Sequence, residues 1–244
     1  MDQVSTRSDN QFLAPSWRPL YGVGSVAALL YVVMVVVPLV LIFVAPLPPA
    51  AGGAQILDYI AHHKTTYLVE LICFVGLSVP ALVVFTSLAI SLRKVNQTAA
   101  LLGGVIGVTS EAIALALGSS PQSLSGPLVA LAHQYALANS DSQRQALAAA
   151  AEALAAGANA VSWAGILTAV GILVLSLGMM RGQYGRAVAC IGIVTGAAGI
   201  VLEALRPQVG TIYAIYGILL PLWFALVGVQ LTRLSRADGL KEAP

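Results

Sequence analysis

Along this chain, runs of about 20 apolar residues alternate with short polar connections, and the runs are too long and unbroken for half-buried helices. A helix satisfies its own backbone groups and so is the element able to cross a hydrocarbon layer; each run predicts one spanning helix. Six runs qualify: 22–44, 67–92, 99–117, 161–180, 187–205 and 211–231. Pro38, Pro80 and Pro221 fall inside the first, second and sixth, where a missing N–H predicts kinks, with Pro80 breaking the middle of the second. The expected fold class is an all-α polytopic membrane bundle.

Two connections are long. Residues 46–66 open with prolines and glycines and continue through Ile56, Leu57 and Ile60, which share a helical face and predict an amphipathic helix lying at the membrane interface. Residues 118–159 hold two further short helices. Ser125-Gly126-Pro127 is a start with proline in the first turn, leading into 128–138. Asn139-Ser140-Asp141 then caps an alanine-rich stretch that stops at Gly157. The polar ends, 1–20 and 233–244, are expected tails. Each long loop leads into an inward helix, a basic turn, and a glycine-bearing outward helix with one glutamate, an order that suggests a duplication.

Basic residues orient such a bundle, because Lys and Arg in short connections stay on the cytoplasmic side. With both ends inside, the inner set is Arg7, Arg18, Arg93, Lys94, Arg181, Arg186, Arg233, Arg236 and Lys241, against Lys64, Arg144 and Arg206 outside. Nine against three favours this orientation, and the reverse would translocate the basic pairs of both tight turns. The long loops are then external. Tyr21, Tyr67, Trp163, Tyr213 and Tyr216 fall near predicted helix ends as an aromatic belt.

Composition agrees and removes other classes. The chain is 58% hydrophobic and 9% charged, where soluble domains carry roughly a quarter charged residues. The main partner of its surface is therefore a lipid bilayer. A net charge of +2 without a clustered basic face excludes nucleic acid. Cys73 and Cys190 lie at opposite predicted depths and are not expected to pair.

Candidate chemistry centres on three acids. Glu70, Glu111 and Glu203 sit within spanning runs, where an ionisable group costs at least about 2.5 kcal/mol and calls for compensation. All three fall in the outer half, so they are expected to converge on one cavity and bind an ion or small polar solute. Gly103, Gly107 and Glu111 step by four; Gly192, Gly196, Gly199 and Glu203 step by four, three and four. Small-residue stripes let helices approach closely, so the two glutamates are expected to face protein. The plainer alternatives are pairing of Glu70 or Glu203 with Arg206 or Lys64, and bonding of a protonated Glu111 to Ser110, Thr195 or a backbone carbonyl. Asp58 and His62, at i and i+4, form half of a divalent-metal site, with His133 as a third ligand. No HExxH, paired CxxC, GxSxG or phosphate loop occurs, and no cofactor is implied.

The order of these features resembles an uncharacterised bacterial membrane family, domain of unknown function 4386. The resemblance is carried by Tyr67-Leu-Val-Glu70-Leu, by Leu88-Ala-Ile-Ser-Leu-Arg-Lys94 with Asn96 and Ala99-Ala-Leu-Leu-Gly103, and by the Arg186 turn with its glycine-rich helix and Glu203. It implies a bacterial inner-membrane location and no particular activity. Three functions remain open: binding or transport of a cation, proton or small polar solute; a scaffold binding another membrane protein; and a metal-dependent intramembrane enzyme.

Overall fold

The structure, a computed structural model, describes residues 17–41, 43, 45, 46, 48, 49, 51–118, 125–160, 162–181 and 184–237. The expected tail over 1–16, the end of the chain after 237, and parts of both long loops lie outside the described residues. The helices are α1 (Arg18–Leu41), α2 (Gly53–His62), α3 (Lys64–Gly76), α4 (Ser78–Leu92), α5 (Gln97–Leu117), α6 (Gly126–Ala136), α7 (Asp141–Asn159), α8 (Trp163–Met179), α9 (Arg186–Ala204), α10 (Arg206–Val209) and α11 (Ala214–Ala237), with a 3-10 turn over Gly210–Tyr213. Among the described residues there is no β-sheet. Among the described residues, six stretches are long and apolar enough to cross a membrane: Arg18–Leu41, Lys64–Leu92, Gln97–Leu117, Asp141–Met179, Arg186–Ala204 and Arg206–Arg236.

Local chemistry sets the ends. Asn96 accepts the Ala99 N–H at 3.0 Å and starts α5, while Gly118, at φ 57°, closes it in the left-handed region open to glycine. Ser162 accepts the Gly165 N–H at 3.1 Å and starts α8. Ser140 caps α7, and Pro127 lies in the first turn of α6. The second span breaks at Leu77 rather than at Pro80 itself, because the proline has no N–H for the carbonyl four residues back, at Gly76. Ser78 thereby becomes the first residue of α4.

Around the bundle the order is α1, α4, α5, α8, α9, α11 and back to α1, so every spanning helix packs on its neighbours in sequence. Inside the ring, Tyr31 stacks on Phe224 with ring centroids 3.8 Å apart, and Phe85 meets the edge of Phe224 at 6.2 Å. Leu88, Leu175, Met179 and Trp223 complete this core. The outward faces are apolar as well: Val26, Val33, Leu101, Val105 and Ile218 are all more than half exposed. The bundle is thus apolar on its outer faces as well as within.

Among the spanning helices, backbones approach closely at α8. A Cβ on Gly171 would lie 3.0 Å from the Gly107 backbone, and one on Gly103 2.7 Å from the Leu175 side chain. On the other flank, a Cβ on Gly196 would lie 2.7 Å from both the Ala169 carbonyl and the Leu173 nitrogen. Both glycine stripes thus meet α8, which contributes Gly171 of its own, while Phe85 of α4 covers Gly107 and Tyr216 and Trp223 of α11 cover Gly199 and Gly192.

Helices α2, α6 and α7 form a cap at the end of the bundle where α3 and α8 begin. The apolar face of α2, expected to lie against the membrane interface, meets protein instead. Ile56, Leu57 and Ile60 are buried against Leu128, Ala132, Ala151 and Ala155 of α6 and α7, so a small protein core satisfies what would otherwise need lipid. Tyr67 is also no belt residue; it is buried, donates to the Ser125 carbonyl at 3.1 Å and accepts the Ser125 N–H at 2.8 Å. Tyr216 is likewise buried, whereas Trp163 is exposed as a belt residue should be. The cysteines are free, Cys73 buried and Cys190 exposed.

Because the neighbours of Gly196 are backbone atoms that cannot rotate away, Gly196→Ala is expected to cost about 1–3 kcal/mol by overpacking. Gly157, open on all sides in α7, is the control: Gly157→Ala is expected to be neutral or to stabilise by up to about 1 kcal/mol. Thermal unfolding of the two variants in one detergent compares them.

Candidate functional site

Glu111 occupies the face of α5 one turn beyond Gly107, where the close approach to α8 leaves it 4% exposed. Its carboxyl Oε1 accepts a hydrogen bond from Thr168 Oγ1 at 2.9 Å. Ser78, released at the start of α4 by the break before Pro80, acts on the same carboxyl as a second hydroxyl partner. Beside it, Ser110 donates to the Ala164 carbonyl and meets Thr168 Oγ1, both at 2.5 Å. Tyr31 of α1 and Tyr216 of α11 lie within electrostatic reach of the acid. Of the partners expected from sequence, Ser110 reaches Glu111 only through Thr168, and Thr195 instead bonds its own helix at Ile191.

Glu203 is resolved differently. Its Oε1 accepts from the Tyr213 hydroxyl at 2.7 Å, and Arg206 Nη1 stands 3.6 Å from Oε2. Arg206 Nη2 also donates to the Tyr213 oxygen at 3.1 Å, so cation, phenol and acid form a closed triangle. The carboxyl lies directly on Gly165, in the first turn of α8, where the positive end of the helix favours negative charge. The expected pairing with Arg206 is observed, and Glu203 is a neutralised pin between α9, α8 and the start of α11.

Glu70 is apart from both. It is 4% exposed on α3, its Oε2 has no hydrogen-bond partner, and its electrostatic neighbours are Tyr59, Tyr67 and Cys73. The phenol of Tyr59, in the cap, is held above its ordinary value first by burial and then by the charge of Glu70. The three carboxyls thus divide into two neighbourhoods: Glu111 and Glu203, linked through Tyr216, and Glu70 under the cap. Glu70 stands on α3, which packs mainly on α1 and touches α2, α4 and α5 more lightly.

The expected metal set is not assembled. His62 Nδ1 lies 3.5 Å from the Asp58 carboxylate, yet the same nitrogen is 2.8 Å from the Asp58 carbonyl, and both side chains are about 70% exposed. They line a shallow cavity of about 420 Å³ with Tyr135 and Arg144. His133 lines a separate cavity of about 130 Å³ beside Lys64, whose charge opposes a metal ion. Among the described residues no three His, Cys, Asp or Glu side chains are grouped to hold a metal.

Sequence reasoning missed Thr168, Ser78 and the phenols. A signal existed for the first: Thr168 and Ser176 are the only hydroxyls in α8, and a lone hydroxyl in a spanning helix is a natural interhelical partner. No family model matches the chain, and neither curated proteins nor solved structures give a match. The site therefore stands on its own geometry.

If Arg206 neutralises Glu203, Arg206→Ala leaves a buried acid uncompensated and is expected to cost about 3 kcal/mol. Tyr213→Phe removes two hydrogen bonds, the one to Glu203 and the one from Arg206, but keeps the cation, and about 2 kcal/mol is expected. Equal losses in thermal unfolding would show that the ion pair contributes nothing beyond packing.

Proposed function

We propose that this chain is a multi-pass protein of a bacterial inner membrane, with both ends cytoplasmic, that binds or moves a proton, cation or small polar solute at Glu111. The observation that carries this reading is a carboxyl buried between α5 and α8 whose partners are hydroxyls, with no basic side chain among the groups acting on it. An acid in a low-dielectric bundle is costly, and a merely structural one is best paired with a cation, as Glu203 is. Glu111 lacks that solution and keeps hard oxygen partners, which suit a proton or a hard cation.

Orientation rests on the basic turns at 93–94 and 181–186, which lie at the end of the bundle away from the cap. The cap then faces outward, with Glu70 beneath it as a second acidic position. Two rival readings lose support. The glycine stripes that a membrane-protein partner would use are covered within the bundle by α8 and by side chains of α4 and α11, and among the described residues those expected for a metal-dependent enzyme are not grouped.

Purified protein in vesicles, driven by an imposed proton or sodium gradient, is expected to take up the coupled ion, and Glu111→Gln to fall to the level of empty vesicles. Unchanged uptake in that variant, or none in the parent, sinks the proposal.

A further inference from the structure

Four oxygens stand in a row between α5 and α8: Glu111 Oε1, Thr168 Oγ1, Ser110 Oγ and the Ala164 carbonyl. Successive separations are 2.9, 2.5 and 2.5 Å. Oxygens this close need a hydrogen between each pair. Each hydroxyl brings one hydrogen, while a carbonyl and an ionised carboxylate bring none. The row has three contacts and two hydrogens of its own.

With the carboxylate ionised, Thr168 donates to Glu111, and Ser110 donates either to Thr168 or to Ala164. In both arrangements one pair at 2.5 Å is left with lone pairs facing each other. Thr168 also lies 3.2 Å from the Ala164 carbonyl, and turning its hydrogen there deepens the shortage. One added proton completes the row, with Glu111 donating to Thr168, Thr168 to Ser110 and Ser110 to the carbonyl. Ser78 remains a further hydroxyl partner of the carboxyl.

We propose that the ligand of this row is a single proton, carried on Glu111 and held by the Thr168–Ser110–Ala164 hydrogen-bond chain. This rests on the functional reading of Glu111 and selects the proton from the solutes that reading leaves open. Metal ions fit the row poorly as it stands. Even Mg²⁺, with oxygens at about 2.0–2.1 Å in octahedral geometry, sets neighbouring ligand oxygens about 3 Å apart. The 2.5 Å pairs would have to spread to hold it. The groups facing the site from the packed elements are Ser78 of α4, Thr168 of α8, and the phenols Tyr31 of α1 and Tyr216 of α11. The acid that shares Tyr216 with Glu111, Glu203 of α9, is already paired with Arg206. Binding is reversible protonation of the carboxylate by solvent, with no other bond made or broken.

Infrared spectroscopy of the full-length protein in lipid at neutral pH, in H₂O and D₂O, tests the assignment. The expected result is a carboxylic-acid carbonyl band that moves on deuteration, is absent in Glu111→Gln, and survives in Glu70→Gln and Glu203→Gln. Thr168→Val keeps the acid and its volume but removes the acceptor, so the band is expected to move to higher frequency. That variant keeps the test open if Glu111→Gln does not fold; an unmoved band overturns the proposal. Thermal stability in sodium against potassium separates the two readings. No band together with sodium stabilisation that Glu111→Gln abolishes overturns the proton and leaves the cation reading standing; neither effect overturns both.

Discussion

The close backbone approach of α8 to α5 on one side and α9 on the other is the contact on which the rest of the bundle depends. In a hydrocarbon surround no water drives apolar faces together, so helices associate through packing and interhelical hydrogen bonds. Removing side-chain volume at Gly103, Gly107, Gly171 and Gly196 lets backbones meet, which gains dispersion contacts along the whole interface. It also brings Glu111 and Glu203 to α8, the first onto Thr168 and the second onto Gly165. A shift of α8 by one residue would rotate Thr168 by about 100° and remove it from Glu111.

Three acids in one bundle are satisfied in three ways. Glu203 has a cation and a phenol, Glu111 has hydroxyls, and Glu70 keeps one oxygen without a partner beneath the cap. The sequence context of the three is alike, each a single glutamate in an apolar run, so the difference lies in what the neighbouring helices deliver. Arg206 comes within one turn of Glu203 along the chain and can fold back on it. Glu111 has no such local cation, and its partners come from α4 and α8.

The cap behaves as a small second core. Its three helices are individually too short or too polar to span, and they bury their apolar faces on one another. Tyr67 ties this unit to the bundle by bonding both backbone groups of Ser125, and Tyr59 donates to the Pro46 carbonyl at 2.9 Å on the opposite edge. A phenol is suited to this place, since its ring packs among apolar side chains while its hydroxyl finds a polar partner.

Apolar run length, proline and glycine position, and capping residues are local properties, so the sequence by itself determined six apolar runs, the break in the second, the starts of α6 and α7, and the stripes that turn Glu111 and Glu203 toward protein. Helical periodicity says which face of one helix is special but not which neighbour that face meets. Only the tertiary structure decided that the stripes meet α8 together with Phe85, Trp223 and Tyr216, that Thr168 and Ser78 serve Glu111, that Glu70 stands apart, and that α2 buries its apolar face on α6 and α7. The physical reason is that contacts between helices distant along the chain come from the mutual fit of their surfaces, and a one-dimensional pattern does not encode which surfaces meet.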